Sequence, residues 1–376
     1  MLVMSACIVC EGTRWCSLPN PRPDRSMLSD LRILDWPLDK EMCAHCGLVR
    51  RPDHVTAKLF DSGYRLYDRP PGTTRETARQ EAYAEWLSSQ VATPPRAILD
   101  LGCGNGSLLL ALGRRWPDAR LRGLDPSQES VAWARDAGID ARCGSVGAAQ
   151  LEPADLVVTV NVIEHVEDPQ SFVRTVATLM TPDGAALVAC PDGRRAWLEL
   201  LFADHLWSFM PAHLRRLAAG AGLEAVDWSA APAVLGSFQL IRLQRATPSA
   251  QRVAIAGEAT TELTRAKQGY LHSWSLLERE LLERSRRTPS LVCFGMGEAA
   301  ALLRAYAPAF WSRVKLCAAD RPEGKVFGDI PVVDYADGRF EWPVVLGVRP
   351  EAQAGLARRL EDSGCSVIRW DDCISA

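Results

Sequence analysis

Apolar runs of strand length alternate with amphipathic stretches through the middle of the chain, which predicts an α/β fold wound around a parallel sheet. The runs at 96–101, 154–160 and 185–189 are apolar at nearly every position, as suits strands covered on both faces. Around them the spacing predicts helices at 107–115 and 127–137, strands ending at Asp125 and near 139–143, and a helix running to Met180. A Thr-Pro-Asp-Gly turn then leads into the run at 185–189. A helical stretch at 196–202, a helix from Pro211, a strand and an antiparallel return at 236–243 complete the sheet. A helix at about 75–89 precedes it, with Ala78, Ala82, Trp86 and Leu87 on one stripe.

The segment 249–287 lacks proline and carries Ile255, Ala259, Leu263, Ala266, Tyr270, Trp274, Leu277 and Leu281 at intervals of three and four, predicting one long amphipathic helix or two short ones. From Pro289 a second strand-helix alternation begins with Gly295-Met-Gly297 and reaches Asp320 after a further strand. That half-Rossmann unit is either a second nucleotide site or a duplicate kept for packing. The boundaries read as 1–74, 75–248, 249–288 and 289–376.

Between about residues 11 and 42 a segment rich in Pro, Arg and Asp has too little apolar content for a core of its own, and here the cysteines change the picture. Cys7-Ile-Val-Cys10 and Cys43-Ala-His-Cys46 are two Cys-x-x-Cys pairs with 32 residues between them. Each pair can place two thiolates on one tight turn, and two turns close a tetrahedral structural zinc shell, whose binding energy would supply the stability that burial lacks. A redox role for either pair is the weaker reading, and Cys16, His45 and His54 are possible substitute ligands. The remaining cysteines of the twelve are scattered in strand contexts and suggest buried packing. Tyr64 and Tyr67 lie on an aromatic linker with a Pro-Pro-Gly break, placed either to pack on the next domain or to cover a cleft.

The densest chemical signal is Asp100-Leu-Gly102-Cys103-Gly104-Asn105-Gly106, at the junction of the predicted strand 96–101 and helix 107–115. Glycines there let a ligand approach the backbone, and Asp125, 19 residues beyond Gly106, is placed to accept hydrogen bonds from ribose hydroxyls. Ligands of such sheets lie beyond the carboxyl ends of the strands, so this turn, Asp125-Pro126, Ser145, and Asn161 with Glu164 and His165 should meet in one crevice. The turn and Asp125 resemble the S-adenosylmethionine motif of class I methyltransferases, and Val-Ile-Glu164-His165-Val-x-Asp-Pro resembles the segment that follows their fourth strand. The resemblance implies a class I methyltransferase doubly wound sheet, here flanked by a small N-terminal zinc domain and a C-terminal Rossmann-like domain.

The order of parts along nearly the whole chain resembles the three-part C-methyltransferases of deoxysugar biosynthesis. These act on nucleotide-linked 4-keto sugars, where a base removes the proton alpha to the keto group and the enolate takes the methyl of S-adenosylmethionine. The resemblance makes His205 the central histidine of their Tyr-x-Glu-His segment, with Asp204 in place of Glu and Phe202 in place of Tyr. Phe202 has no hydroxyl to stabilise an enolate oxygen. Either Tyr64 or Tyr67 supplies it, or the chain methylates oxygen or nitrogen of another metabolite or glycan.

A net charge of −3 provides no overall field for nucleic acid, and no run approaches the ~18 apolar residues of a membrane span. With no cationic leader ahead of an apolar core, the sequence reads as a cytoplasmic enzyme of a small molecule. An RNA methyltransferase and a scaffold without turnover are the competing classes.

Overall fold

The computed structural model describes residues 6–52, 70–72, 74–147, 150–247, 260–322, 324–337 and 340–374. Tyr64, Tyr67 and His54 lie outside the described residues. The chain divides into two compact units: Met1–Cys16, Glu41–Arg195 and Asp204–Leu263 form one, and Ser17–Lys40, Ala196–Ala203 and Thr264–Ala376 the other. The loop between the two cysteine pairs is thus counted with the C-terminal part of the chain.

In the first unit, short strands β1 (Trp15–Ser17), β2 (Glu41–Cys43) and β3 (Val49–Arg50) lead to helix α1 (Thr74–Ser88). Then come β4 (Ala97–Leu101), α2 (Ser107–Arg115), β5 (Arg120–Asp125), α3 (Gln128–Asp136) and β6 (Asp140–Cys143). They are followed by β7 (Ala154–Val160), α4 (Pro169–Thr178), β8 (Met180–Pro191), β9 (Trp207–Ser208), α5 (Pro211–Gly220), β10 (Leu223–Ala230) and β11 (Phe238–Arg245). Seven strands form one sheet in the order β10-β11-β8-β7-β4-β5-β6, with β11 antiparallel to both neighbours. β4 is central, pairing in parallel with β5 from Ala97↔Arg120 to Leu101↔Leu124 and with β7 from Ile98↔Leu156 to Asp100↔Val158.

The uniform apolarity of these strands has the expected cause: Ile98, Leu99, Leu101, Val157, Val158, Leu187 and Ala189 are all buried. Two local expectations are corrected. The helix expected to reach Met180 ends at Thr178, and Thr181–Gly184 is an irregularity inside β8, where pairing with β7 shifts between Met180 and Ala185. The stretch at 196–202 is a 3-10 turn over Leu198–Leu201.

Ile255 and Ala259 lie outside the described residues. The described part of the proline-free segment forms one helix, α6 (Thr260–Arg284), most of it in the second unit. Its Trp274 is fully buried against Trp370 and Tyr306, with ring centroids 5.3 and 5.9 Å away. A separate six-stranded sheet carries the second alternation. Tyr306 Oη donates to Leu201 O at 2.6 Å, and Ala203 N donates to Met27 O at 2.7 Å. Phe202, bridged to Met27, is buried. Among the described residues no helix is long and apolar enough to cross a membrane.

Gln239 on β11 bonds to the end of β8 and to the segment after β9. Its buried Nε2 donates to Phe209 O at 2.6 Å and to Pro191 O at 3.1 Å. Replacing it by Ala removes both bonds, and although Phe209 O keeps the bond from Gly193 N at 2.8 Å, Gln239→Ala is expected to destabilise the fold by about 1–3 kcal/mol. Urea denaturation measures this; an unchanged midpoint would remove the clamp from the account.

Candidate active site

The glycine turn after β4 has the backbone its composition predicts. Gly102 and Gly106 adopt φ of 82° and 83°, in the left-handed region that side chains disfavour. A Cβ on Gly102 would also come within 2.4 Å of Val162 Cγ2. Gly102 N and Cys103 N donate to Leu124 O at 2.7 and 3.1 Å, tying the turn to β5. At the end of β5, Asp125 accepts from Gly104 N (2.9 Å) through one oxygen and from Ser127 N (2.8 Å) through the other. A carboxylate has about four acceptor positions, so capacity for ribose hydroxyls remains. Gly144 N donates to Asp125 O at 3.0 Å, which sets the exposed Ser145 beside the same strand ends, and Pro126 is exposed at the tip of β5.

Not every residue of this sequence word meets the crevice. Asn105 is fully buried and its Oδ1 accepts from Ser107 N at 3.1 Å, supporting the start of α2. Cys103 packs into the notch left by Gly123, where a Cβ would lie 2.5 Å from its Sγ. Burial, and then the charges of Asp100 and Asp125, push that thiol up. Asp100 is 2% exposed, and its Oδ1 has no partner among the described residues. Burial, reinforced by Asp125, pushes its carboxyl up to about 8, and burial also raises Asp125 against the two N–H groups that lower it.

Beyond β7, Asn161 takes a φ of 58° and its Oδ1 is likewise buried without a partner among the described residues. The following Glu164 and His165 meet Asp204 and His205. His165 Nδ1 lies 2.8 Å from Asp204 O and 3.7 Å from Asp204 Oδ2. The His165 and His205 rings meet edge to face with centroids 4.8 Å apart. Glu164 Oε1 is 4.0 Å from His165 Nε2. Glu164, Asp204 and His205 are buried. Trp207 fastens the two segments, donating from N to Glu164 O at 3.1 Å and from Nε1 to Val166 O at 2.8 Å. Sequence reasoning paired Asp204 with His205 by adjacency; the structure shows Asp204 against His165.

The four cysteines Cys7, Cys10, Cys43 and Cys46 converge, with every sulfur within 4.8 Å of the others and the pairs Cys7–Cys46 and Cys10–Cys43 both at 3.6 Å. A tetrahedral ion with bonds of about 2.3 Å to sulfur sets its ligands roughly 3.8 Å apart, so the donor set fits. The Cys7 thiol is lowered to about 5 by hydrogen bonding from Cys46, whose own thiol rises in consequence. Cys16 and His45 stand outside the cluster. Sequence reasoning missed His213: its Nδ1 accepts from Met210 N at 3.0 Å, so its Nε2 donates to Cys46 O, 2.9 Å away. This buried imidazole joins the cluster to the start of α5; only its buried setting among Leu and Pro residues hinted at a structural task.

Residues 75–227 match the family model described as a methyltransferase domain. The trans-aconitate 2-methyltransferase of Mycolicibacterium gilvum is 41% identical over 103 residues, which is 27% of this chain and 40% of that protein. The ubiquinone biosynthesis O-methyltransferase of Neisseria meningitidis serogroup A is 31% identical over 156 residues, covering 35% of this chain and 65% of its own. The chain therefore spans less than two thirds of the length of these curated relatives. Among solved structures, the magnesium protoporphyrin IX methyltransferase of Synechocystis PCC 6803 with bound SAM aligns at a TM-score of 0.38 and 17% identity, over 52% of this chain and 94% of that one.

Asp100 makes the ligand-free domain sensitive to alkali. Its carboxyl titrates near 3.9 when unfolded and at about 8 when folded. Below pH ~4 the carboxyl is protonated folded and unfolded alike and the domain keeps its full stability, which is lost as pH rises from there through about 8. Asp100→Asn is expected to flatten the fall in stability over that window, measured as the difference between wild-type and variant denaturation midpoints; parallel profiles would refute it.

Proposed function

We propose that the chain transfers a methyl group from S-adenosylmethionine to a small-molecule acceptor, with carbon methylation of a nucleotide-linked keto-deoxysugar as the reading the site supports best. The observation that carries it is the His205, Asp204, His165 and Glu164 cluster at the end of β7, beside the glycine turn that Val162 touches. The residues suit the cofactor. Gly102 keeps the turn open to a close ligand, and the buried oxygens of Asp100 and Asn161 have no partner among the described residues. Asp100 and Asp125, both raised by burial, favour a cationic ligand that restores their charge. S-adenosylmethionine supplies an electrophilic methyl group when bound.

The chain's own residues do the rest. Asp125 holds the ribose, and the backbone from Gly102 to Gly106, with Pro126, Ser145, Asn161, Glu164 and His165, borders the nucleoside and methionine parts. His205 takes the acidic proton of the acceptor, because a carbon nucleophile must be unmasked before it can attack. Either Tyr64 or Tyr67 provides the hydroxyl that Phe202 lacks. Phe202 and the O-methyltransferase among the relatives favour a second reading, in which the same base deprotonates a hydroxyl. The cysteine cluster is a closed structural zinc site, and its thiolates suit a reducing, cytoplasmic setting.

Incubation with methyl-labelled cofactor and a 4-keto nucleotide sugar is expected to place label on carbon, and His205→Ala to slow transfer by roughly 10²–10⁴-fold. Label on oxygen would transfer the case to the second reading, and no transfer to any sugar acceptor would overturn the sugar assignment.

Protein purified without chelator is expected to carry one zinc per chain by elemental analysis. Cys10→Ser should release it and lower the melting temperature; zinc retained in that variant, or none in the wild type, would sink the assignment.

A further inference from the structure

We propose that Glu164, His165 and His205 form a second metal site, separate from the cysteine cluster, for one divalent first-row cation that prefers nitrogen and oxygen. One ligand atom from each of the three lies within 4.8 Å of the other two. Two imidazoles and one carboxylate are a donor set of open metal centres, which keep a coordination position for substrate.

The orientation of His165 matters more than proximity. Its Nδ1 is 2.8 Å from Asp204 O, and a carbonyl only accepts, so Nδ1 carries the proton and the Nε2 lone pair points away from Asp204. That is how metal-binding histidines are held: one ring nitrogen donates to a carbonyl or carboxylate and the other binds the ion. Nε2 is also the nitrogen on the Glu164 side, 4.0 Å from Oε1. Donors around one ion at about 2.1 Å sit roughly 3.0–3.4 Å apart, so binding would draw the Glu164 carboxylate and the His205 ring closer to His165 Nε2. The backbone is already fixed, with Glu164 O bonded to Trp207 N, Val166 O to Trp207 Nε1, and His165 N to Val162 O.

The cation's role rests on the methyl-transfer reading; its binding does not. Beside the crevice, the ion would polarise an oxygen of the acceptor and so acidify it. That provides for charge on a keto or hydroxyl oxygen which Phe202 cannot stabilise. With the ion bound His205 is a ligand, which replaces the base role given to it above: the acidified acceptor would release its proton to solvent, and this would hold for carbon or oxygen methylation.

The test uses the full-length, zinc-loaded protein titrated with Co²⁺ and no acceptor. One equivalent is expected to bind with visible ligand-field absorption, no thiolate charge-transfer band, and two solvent-exchangeable, strongly shifted imidazole N–H proton signals. His165→Gln and His205→Gln should each weaken Co²⁺ binding at least tenfold while zinc content and the far-UV circular dichroism spectrum persist. Absence of Co²⁺ binding, thiolate bands, or a spectrum without imidazole signals would overturn the proposal in the unaltered protein, whatever the variants do. A failure of methyl transfer with Co²⁺ bound as described would count against the proposed reaction and leave the site standing.

Discussion

The crevice depends on one residue, Asp125, bonding to three neighbouring segments at once. Its two carboxylate oxygens take the N–H groups of Gly104 and Ser127, and its backbone carbonyl takes that of Gly144. The turn after β4, the start of α3 and the loop after β6 are therefore referred to the tip of a single strand. Bonds of this kind, from a carboxylate to backbone N–H, are among the stronger ones in a protein. They fix the depth of the glycine turn against β5, so the turn is a formed surface in the free chain. The same burial raises the Asp125 carboxyl, which leaves the site electrostatically suited to a cation.

What the sequence made legible follows from how local each signal is. Strands buried on both faces are apolar at almost every position, so β4, β7 and the core of β8 could be placed to within a residue or two. The turn was legible because left-handed backbone at Gly102 and Gly106 admits few residues besides glycine. The roles of side chains between those glycines were not, since burial decides them: Asn105 supports a helix start and Cys103 fills the notch at Gly123. Partners far apart in sequence were also hidden. His213 and Cys46 are 167 residues apart, and no spacing rule connects them. The Asp204 contact with His165 is of the same kind, joining two loops that only the sheet brings together.

The second alternation illustrates how a motif can be occupied from within. Gly295 has a φ of 112°, and a Cβ there would come within 2.5 Å of Gly347 O, so close strand packing alone accounts for this glycine. Asp320, the acid in the place where a second ribose would bind, is paired with Arg359 at 2.6 Å. The Arg359 guanidinium also lies over the Tyr335 ring, 4.8 Å from its centroid. A nucleotide entering there would have to displace both contacts. Of the two readings open from sequence, these contacts favour the one in which the duplicate is kept for packing.

Within the first unit, the cysteine cluster and the histidine cluster are mechanically connected. The strand β2 ends on Cys43, β2 pairs with β3, and β3 pairs with β9 through Arg50↔Trp207 and Val49↔Ser208. β9 begins two residues after His205, and Arg51 N donates to Leu206 O at 2.9 Å. Trp207 in turn holds Glu164 and Val166. An ion closed in the four thiolates would thus brace a ladder whose far strand starts two residues after His205. That connection gives a physical reason for a small cysteine module to sit in this unit: it supplies the rigidity that a two-residue edge strand cannot provide by itself.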